Sequence, residues 1–267
     1  MPFVAVRDIN LYYEIAGSGP KLFYISGTGG DLRRKPNVFD SPLAEYFTIL
    51  AYDQRGLGQT DRPETPYTMV DYAEDANALL DAMGWQSCAV MGTSFGGMVG
   101  QEFALRYPQR VEKLVLACTS SGGAGGASYP LHELLDMDLQ EKTMHMMGIS
   151  DLRLDEAWQA DNPLQVQELV AMAGNAAAVG EDEPGRAMGA RLQVLARKDH
   201  DTYDRLPQLK MPIFICGGRY DGIAATANQQ ALKRQLPHAQ LKLFEGGHGF
   251  LQQDPVAYQQ IIAFLNA

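Results

Sequence analysis

The feature that most constrains this fold is an alternation of short apolar runs with helix-periodic segments, kept on both sides of one long interruption. Before the interruption, Phe47 to Tyr52, Ala89 to Met91 and Val111 to Cys118 read as strands. Between the first two, Met69, Tyr72, Ala73, Ala76, Leu79, Leu80 and Met83 recur at helical spacing. Thr68 and Asp71 form a capping-box start for that helix, and Gly84 ends it. A second helix is expected from about Gly96 to Tyr107. After the interruption the rhythm resumes with Ile213 to Cys216 as strand, Ala224 to Leu236 as helix, Gln240 to Phe244 as strand and a final helix opening at Asp254-Pro255. Such alternation predicts an α/β chain with a mostly parallel sheet covered by helices on both faces. Phe3 to Val6, Leu11 to Ile15 and Leu22 to Ile25, separated by polar turns, lead the sheet with antiparallel strands and bring it to eight.

The interruption runs from the flexible Ser120-Ser121-Gly122-Gly123-Ala124-Gly125-Gly126 to about Leu206 and contains no convincing strand. Helices are expected over Leu131 to Met147, Asp155 to Gln159, Leu164 to Val179 and Pro184 to Ala196. Residues 120–206 therefore read as a helical cap inserted into a core made of 1–119 and 207–267. At 267 residues and 46% apolar composition the chain can bury a sizeable core. A net charge of −10 argues against nucleic acid or an anionic membrane surface as partner, since both require a basic face. The N-terminus carries no signal-peptide core and no run approaches the roughly 20 apolar residues of a membrane span, so a cytoplasmic location is the default expectation. Cys88, Cys118 and Cys216 sit in or beside apolar runs without CxxC spacing and are expected to be buried small hydrophobes.

The chemistry concentrates in loops that follow strands. Gly92-Thr93-Ser94-Phe95-Gly96-Gly97 lies between a strand and a helix, where small residues two before and two after a serine let the backbone bend and lift the hydroxyl above the sheet. Ser26-Gly27-Thr28-Gly29-Gly30-Asp31 follows the third strand; it lacks the lysine and spacing of a phosphate loop, which leaves the role of an oxyanion loop. Gly217-Gly218-Arg219-Tyr220-Asp221-Gly222 and Gly246-Gly247-His248-Gly249-Phe250 follow the last two strands, beyond the carboxyl ends where doubly wound sheets place their sites. A serine hydroxyl is a poor nucleophile at neutral pH, so an imidazole must take its proton and a carboxylate must orient that imidazole; Ser94, His248 and Asp221 are the candidates. Asp53, Arg55 and Asp61 lie in a long polar turn and read as loop-bracing charges. His132, His145, His200 and His238 lack metal-ligand spacing and read as packed or solvated residues, so no metal and no cofactor are expected.

These motifs, their order and their positions after strands resemble the α/β-hydrolase superfamily over essentially the whole chain. Gly29-Gly30-Asp31-Leu32-Arg33, Tyr52-Asp53-Gln54-Arg55-Gly56 and Gly92 to Gln101 are similar to its small bacterial lactonase and esterase branch, which includes 3-oxoadipate enol-lactonases. The resemblance implies acyl transfer through Ser94, His248 and Asp221, with the backbone amides of Thr28 and Phe95 as oxyanion donors and a small ester or lactone as substrate. Two departures stand out: Ser26-Gly27 replaces the family's frequent His-Gly, and no proline follows Asp221 within Gly222 to Thr226. Substrate choice is expected in the cap, where Met137, Met144, Met146, Met147, Met172, Met188 and Trp158 are candidates for pocket walls or simple packing. Arg153, Arg186 and Arg191 are candidates for a substrate carboxylate, against the commoner role of exposed helix arginines. Because fold does not fix function, a C–C bond hydrolase, a peracid-forming enzyme or a ligand receptor with the same residues stays open.

Overall fold

The computed structural model describes residues 2–267. Its sheet has eight strands, β1 (Phe3–Val6), β2 (Ile9–Ala16), β3 (Lys21–Ile25), β4 (Thr48–Tyr52), β5 (Cys88–Thr93), β6 (Val111–Ala117), β7 (Ile213–Gly218) and β8 (Gln240–Phe244), in the order β1-β2-β4-β3-β5-β6-β7-β8. β2 runs antiparallel to β1 and β4, and every other pairing is parallel. The fold is the α/β-hydrolase fold.

Period-two burial explains how the sheet seats helices on both faces. Phe23, Leu50, Val90, Leu114, Leu116 and Ile215 face a core shared with α1 (Met69–Ala82), α2 (Phe95–Arg106) and, through Leu232, α7 (Thr226–Gln235). Their neighbours Leu22, Ile49, Ala89, Met91, Val115 and Phe214 face a second core with α9 (Pro255–Asn266). α1 begins at the predicted capping box, with Thr68 accepting from Asp71 N and the Asp71 side chain returning to Thr68 N. Removing a fully buried side chain from either core, such as Phe103, costs about 3–5 kcal/mol.

Between β6 and β7 lie α3 (Leu139–Ser150), α4 (Glu156–Asp161), α5 (Pro163–Ala178) and α6 (Arg186–Ala196), and α8 (Phe250–Gln253) is a short turn after β8. The helix expected from Leu131 to Met147 is in fact two pieces, a 3-10 turn at Leu131–Leu134 and α3. Asp138 makes the break: its carboxylate accepts from Gln140 N and Glu141 N and so starts a new helix. Asp155 caps α4 in the same manner, accepting from Trp158 N. Among the described residues no helix is long and apolar enough to cross a membrane.

Candidate active site

β5 ends directly under Ser94, which adopts φ 56° and ψ −117°. A non-glycine residue in this region carries strain of about 1–3 kcal/mol and persists only where its surroundings over-determine it. Here they do: Ser94 N donates to Ala117 O at 2.8 Å, and Ser94 O accepts from Thr119 Oγ1 at 2.8 Å and Gly97 N at 2.9 Å. The two outer glycines are required by close approach. A Cβ on Gly92 would lie 2.2 Å from Gly96 O, and one on Gly96 would lie 2.0 Å from Ile25 O. The pattern is thus the sequence signature of α2 starting hard against the end of β3.

Loops after β7 and β8 bring in Asp221 and His248. His248 Nε2 lies 2.9 Å from Ser94 Oγ, and His248 Nδ1 lies 2.8 Å from Asp221 Oδ2. Asp221 is 1% exposed, and its other oxygen accepts from Ile223 N and Ala224 N, both at 2.8 Å. The chain after Asp221 therefore turns back onto its own carboxylate, and a proline in place of Ile223 or Ala224 would remove one of these donors. An ionised carboxylate only accepts, so Nδ1 carries the proton and Nε2 is left to accept from the serine hydroxyl. Both loops are pinned to the last turn of α3: His248 N donates to Ser150 O at 2.6 Å and Gly222 N to Ile149 O at 3.0 Å.

The loop after β3 lies on the other side of Ser94, close enough that a Cβ on Gly27 would touch Ser94 Cβ at 3.4 Å. Among the described residues, the N–H groups of Thr28 and Phe95 donate to no backbone carbonyl. Three side chains hold this loop. Gln54 Nε2 donates to Ser26 O at 2.8 Å and lies 3.2 Å from Ser26 Oγ. Arg34 Nη1 donates to Gly29 O at 3.0 Å, and Gly29 N donates to Oε1 of the fully buried Gln193 at 2.8 Å. Sequence reasoning missed Gln54 and Gln193. Gln54 stands in the motif beside the charges that were weighed, whereas Gln193 has no signal short of the fold, being 164 residues from its partner.

The charges of the turn after β4 brace it, as expected. Asp53 accepts from Leu32 N at 2.7 Å and Gln59 N at 2.9 Å, Arg55 pairs with Asp8 and Asp75, and Asp61 accepts from Asn10 N at 2.8 Å. Burial pushes the Asp53 carboxyl up to about 6 against those hydrogen bonds. His145 bonds Tyr129 OH, His238 faces Met211 O, and His200 is buried. Cys88, Cys118 and Cys216 are all buried and free. One donor atom each of Cys118, Asp221 and His248 falls within 4.8 Å of the others. That set does not suit a metal, because burial and the Asp221 charge push the Cys118 thiol well up and the other two are spent on each other.

Two cavities flank α3. One of about 450 Å³ lies between α3 and α5 and reaches Gly249, with Met146 and Met147 in its wall. Another of about 400 Å³ sits over the loop after β3, lined by Thr28, Gly29, Gln193 and Arg191. Lys142 borders both. Met144 and Trp158 are half-buried and line neither. Arg153, Arg186 and Arg191 each carry a carboxylate partner of this chain, Asp151, Asp31 and Asp136.

Comparison with known proteins agrees with this architecture. Residues 22–148 match the family model of the alpha/beta hydrolase fold. The crystal structure of a hydrolase from Pseudomonas aeruginosa PA01 superposes with a TM-score of 0.79 at 27% identity, over 99% of this chain and 98% of that one. An enol-lactonase from Burkholderia xenovorans LB400 superposes with a TM-score of 0.79 over all of both chains, and at 21% identity it shows the fold alone. A poly(3-hydroxyalkanoate) depolymerase of Ectopseudomonas oleovorans is 27% identical over 76% of this chain and 69% of its own. With the sheet order, the strained serine turn and the matched segment in agreement, the chain has the α/β-hydrolase fold, and residues 22–148 carry the part of it that the family model describes.

Proposed function

We propose that the protein is a serine hydrolase that cleaves a small carboxylic ester or lactone through an acyl-enzyme. The observation that carries this reading is the unbroken relay from Asp221 Oδ2 through His248 to Ser94 Oγ, with both contacts below 3 Å. In the proposed reaction His248 Nε2 takes the Ser94 proton as Oγ attacks the substrate carbonyl, and Asp221 stabilises the imidazolium that forms. The tetrahedral oxyanion is received by the N–H groups of Thr28 and Phe95, where each donor contributes about 2.7–4 kcal/mol to lowering the barrier. His248 then returns the proton to the leaving alcohol, and a water activated by the same imidazole releases the acid. Residues 120–206 act as the cap that selects the substrate, with Met147 in the wall of the larger cavity. No cofactor enters this scheme.

The test is turnover by the parent and Ser94→Ala proteins on a panel of short-chain esters, lactones and one β-diketone. Ester or lactone hydrolysis by the parent, lost in Ser94→Ala, supports the proposal. Equal rates in the two proteins would sink it, and cleavage of the β-diketone alone would replace it with C–C bond hydrolysis.

A further inference from the structure

A third, smaller cavity of about 50 Å³ lies at the C-terminal end of α6, against the turn that follows β6. Three buried polar atoms on its lining residues have no hydrogen-bond partner among the described residues: Arg197 Nη1, His200 Nε2 and Ser120 Oγ. The residues that carry them are 6%, 7% and 1% exposed. Arg197 differs from the arginines singled out in the sequence, because no carboxylate of the described residues pairs with it. Its other terminal nitrogen donates to Ser128 Oγ and, at 3.4 Å, to Tyr129 O. Burial alone pushes its guanidinium down to about 10, which leaves it charged at neutral pH. None of the residues around the cavity is acidic, and Lys198 and His132 add further basic groups.

A buried guanidinium without a counter-charge is costly, and its unpartnered Nη1, in a cavity that a serine hydroxyl also lines, suits a carboxylate or a halide. We propose that this cavity binds one small monoanion, the size of formate or bromide, with Arg197 as its counter-charge and Ser120 Oγ as its hydrogen-bond partner. The site lies close to the nucleophile. Ser120 follows Thr119, whose hydroxyl donates to Ser94 O, and Met98, also in the cavity wall, donates its N–H to the same carbonyl at 3.3 Å. Two sources share this chemistry, a free inorganic or organic anion and the carboxylate end of a substrate.

Bromide is the direct probe. Crystals of the parent soaked in bromide should show an anomalous peak within hydrogen-bond distance of Arg197 Nη1, and crystals of Arg197→Met should lack it. In solution, formate should raise the Tm of the parent above that in sulfate at equal ionic strength, and the difference should vanish in Arg197→Met. A cavity holding water only in bromide-soaked parent crystals, or the same Tm response in both proteins, overturns the proposal. The parent crystal decides alone if Arg197→Met does not fold. Kinetics separate the two sources, and this arm rests on the ester hydrolysis proposed above. Formate that raises KM for an ester bearing a free carboxylate, and not for its neutral amide, assigns the site to the substrate; unchanged KM for both, with the bromide peak present, assigns it to a free anion.

Discussion

Replacing Gln193 with leucine tests how the proposed oxyanion loop is held. Gln193 is fully buried on α6, and its Oε1 is the acceptor for Gly29 N, next in the chain to the proposed donor Thr28. Leucine keeps most of the volume and removes the acceptor, so a buried N–H is left unpaired at a cost of about 1–3 kcal/mol. At about 2–4 °C per kcal/mol for a domain of this size, Tm should fall by about 2–12 °C. The larger effect should be on rate. A loop free to rotate the Thr28 amide loses part of one oxyanion donor, so kcat should drop about 10- to 100-fold, short of the 10²–10³ seen when a donor is deleted. KM should change little, because the oxyanion exists only in the transition state. The assay is kcat and KM on an activated ester for parent and Gln193→Leu, with a thermal melt of each. A folded variant with the parent's kcat would refute the reasoning, and a raised KM at constant kcat would place Gln193 in ground-state binding instead.

Two further substitutions probe other parts of the account. Asp221→Asn keeps the bond geometry but favours the wrong imidazole tautomer, so kcat should fall by about 10⁴ with little change in Tm; a loss below tenfold would count against Asp221 as the orienting acid. Asp53 has its folded-state value raised from near 3.8 to about 6, so the folded chain holds this proton more tightly and stability is lost as pH rises from about 4 to 6. Asp53→Asn should remove that loss, gaining on the parent by up to about 3 kcal/mol between pH 4 and pH 7.5 in denaturant titrations; a difference between the two proteins that does not vary with pH would contradict it.

The parts of the molecule written into local sequence were legible and the parts made by tertiary contact were not. Strand runs such as Val111 to Cys118 and the box at Thr68 and Asp71 act within a few residues, and the loops after β5, β7 and β8 announce themselves by glycines that close approach requires. Their convergence followed from strand ends sharing one edge of a parallel sheet. Asp138 hid a helix start inside an apparently continuous periodic stretch, because a capping aspartate differs from a surface aspartate only in its backbone conformation. Gln193, Arg197 and His200 were beyond reach for another reason. Each is a polar residue in an ordinary helical or turn context, and its burial depends on how α6 sits against loops more than 60 residues away in sequence. The arginines of Arg153, Arg186 and Arg191 stood out by type, while their carboxylate partners, near or far in the chain, became visible only in the fold.

The central claim is that Ser94 is an activated nucleophile. Intact-protein mass spectrometry after exposure to a fluorophosphonate measures this without knowledge of the natural substrate. The parent should gain a single phosphonyl group, Ser94→Ala none, and His248→Ala should react far more slowly. A parent protein that stays unlabelled, or a Ser94→Ala protein labelled as fast as the parent, would contradict the claim.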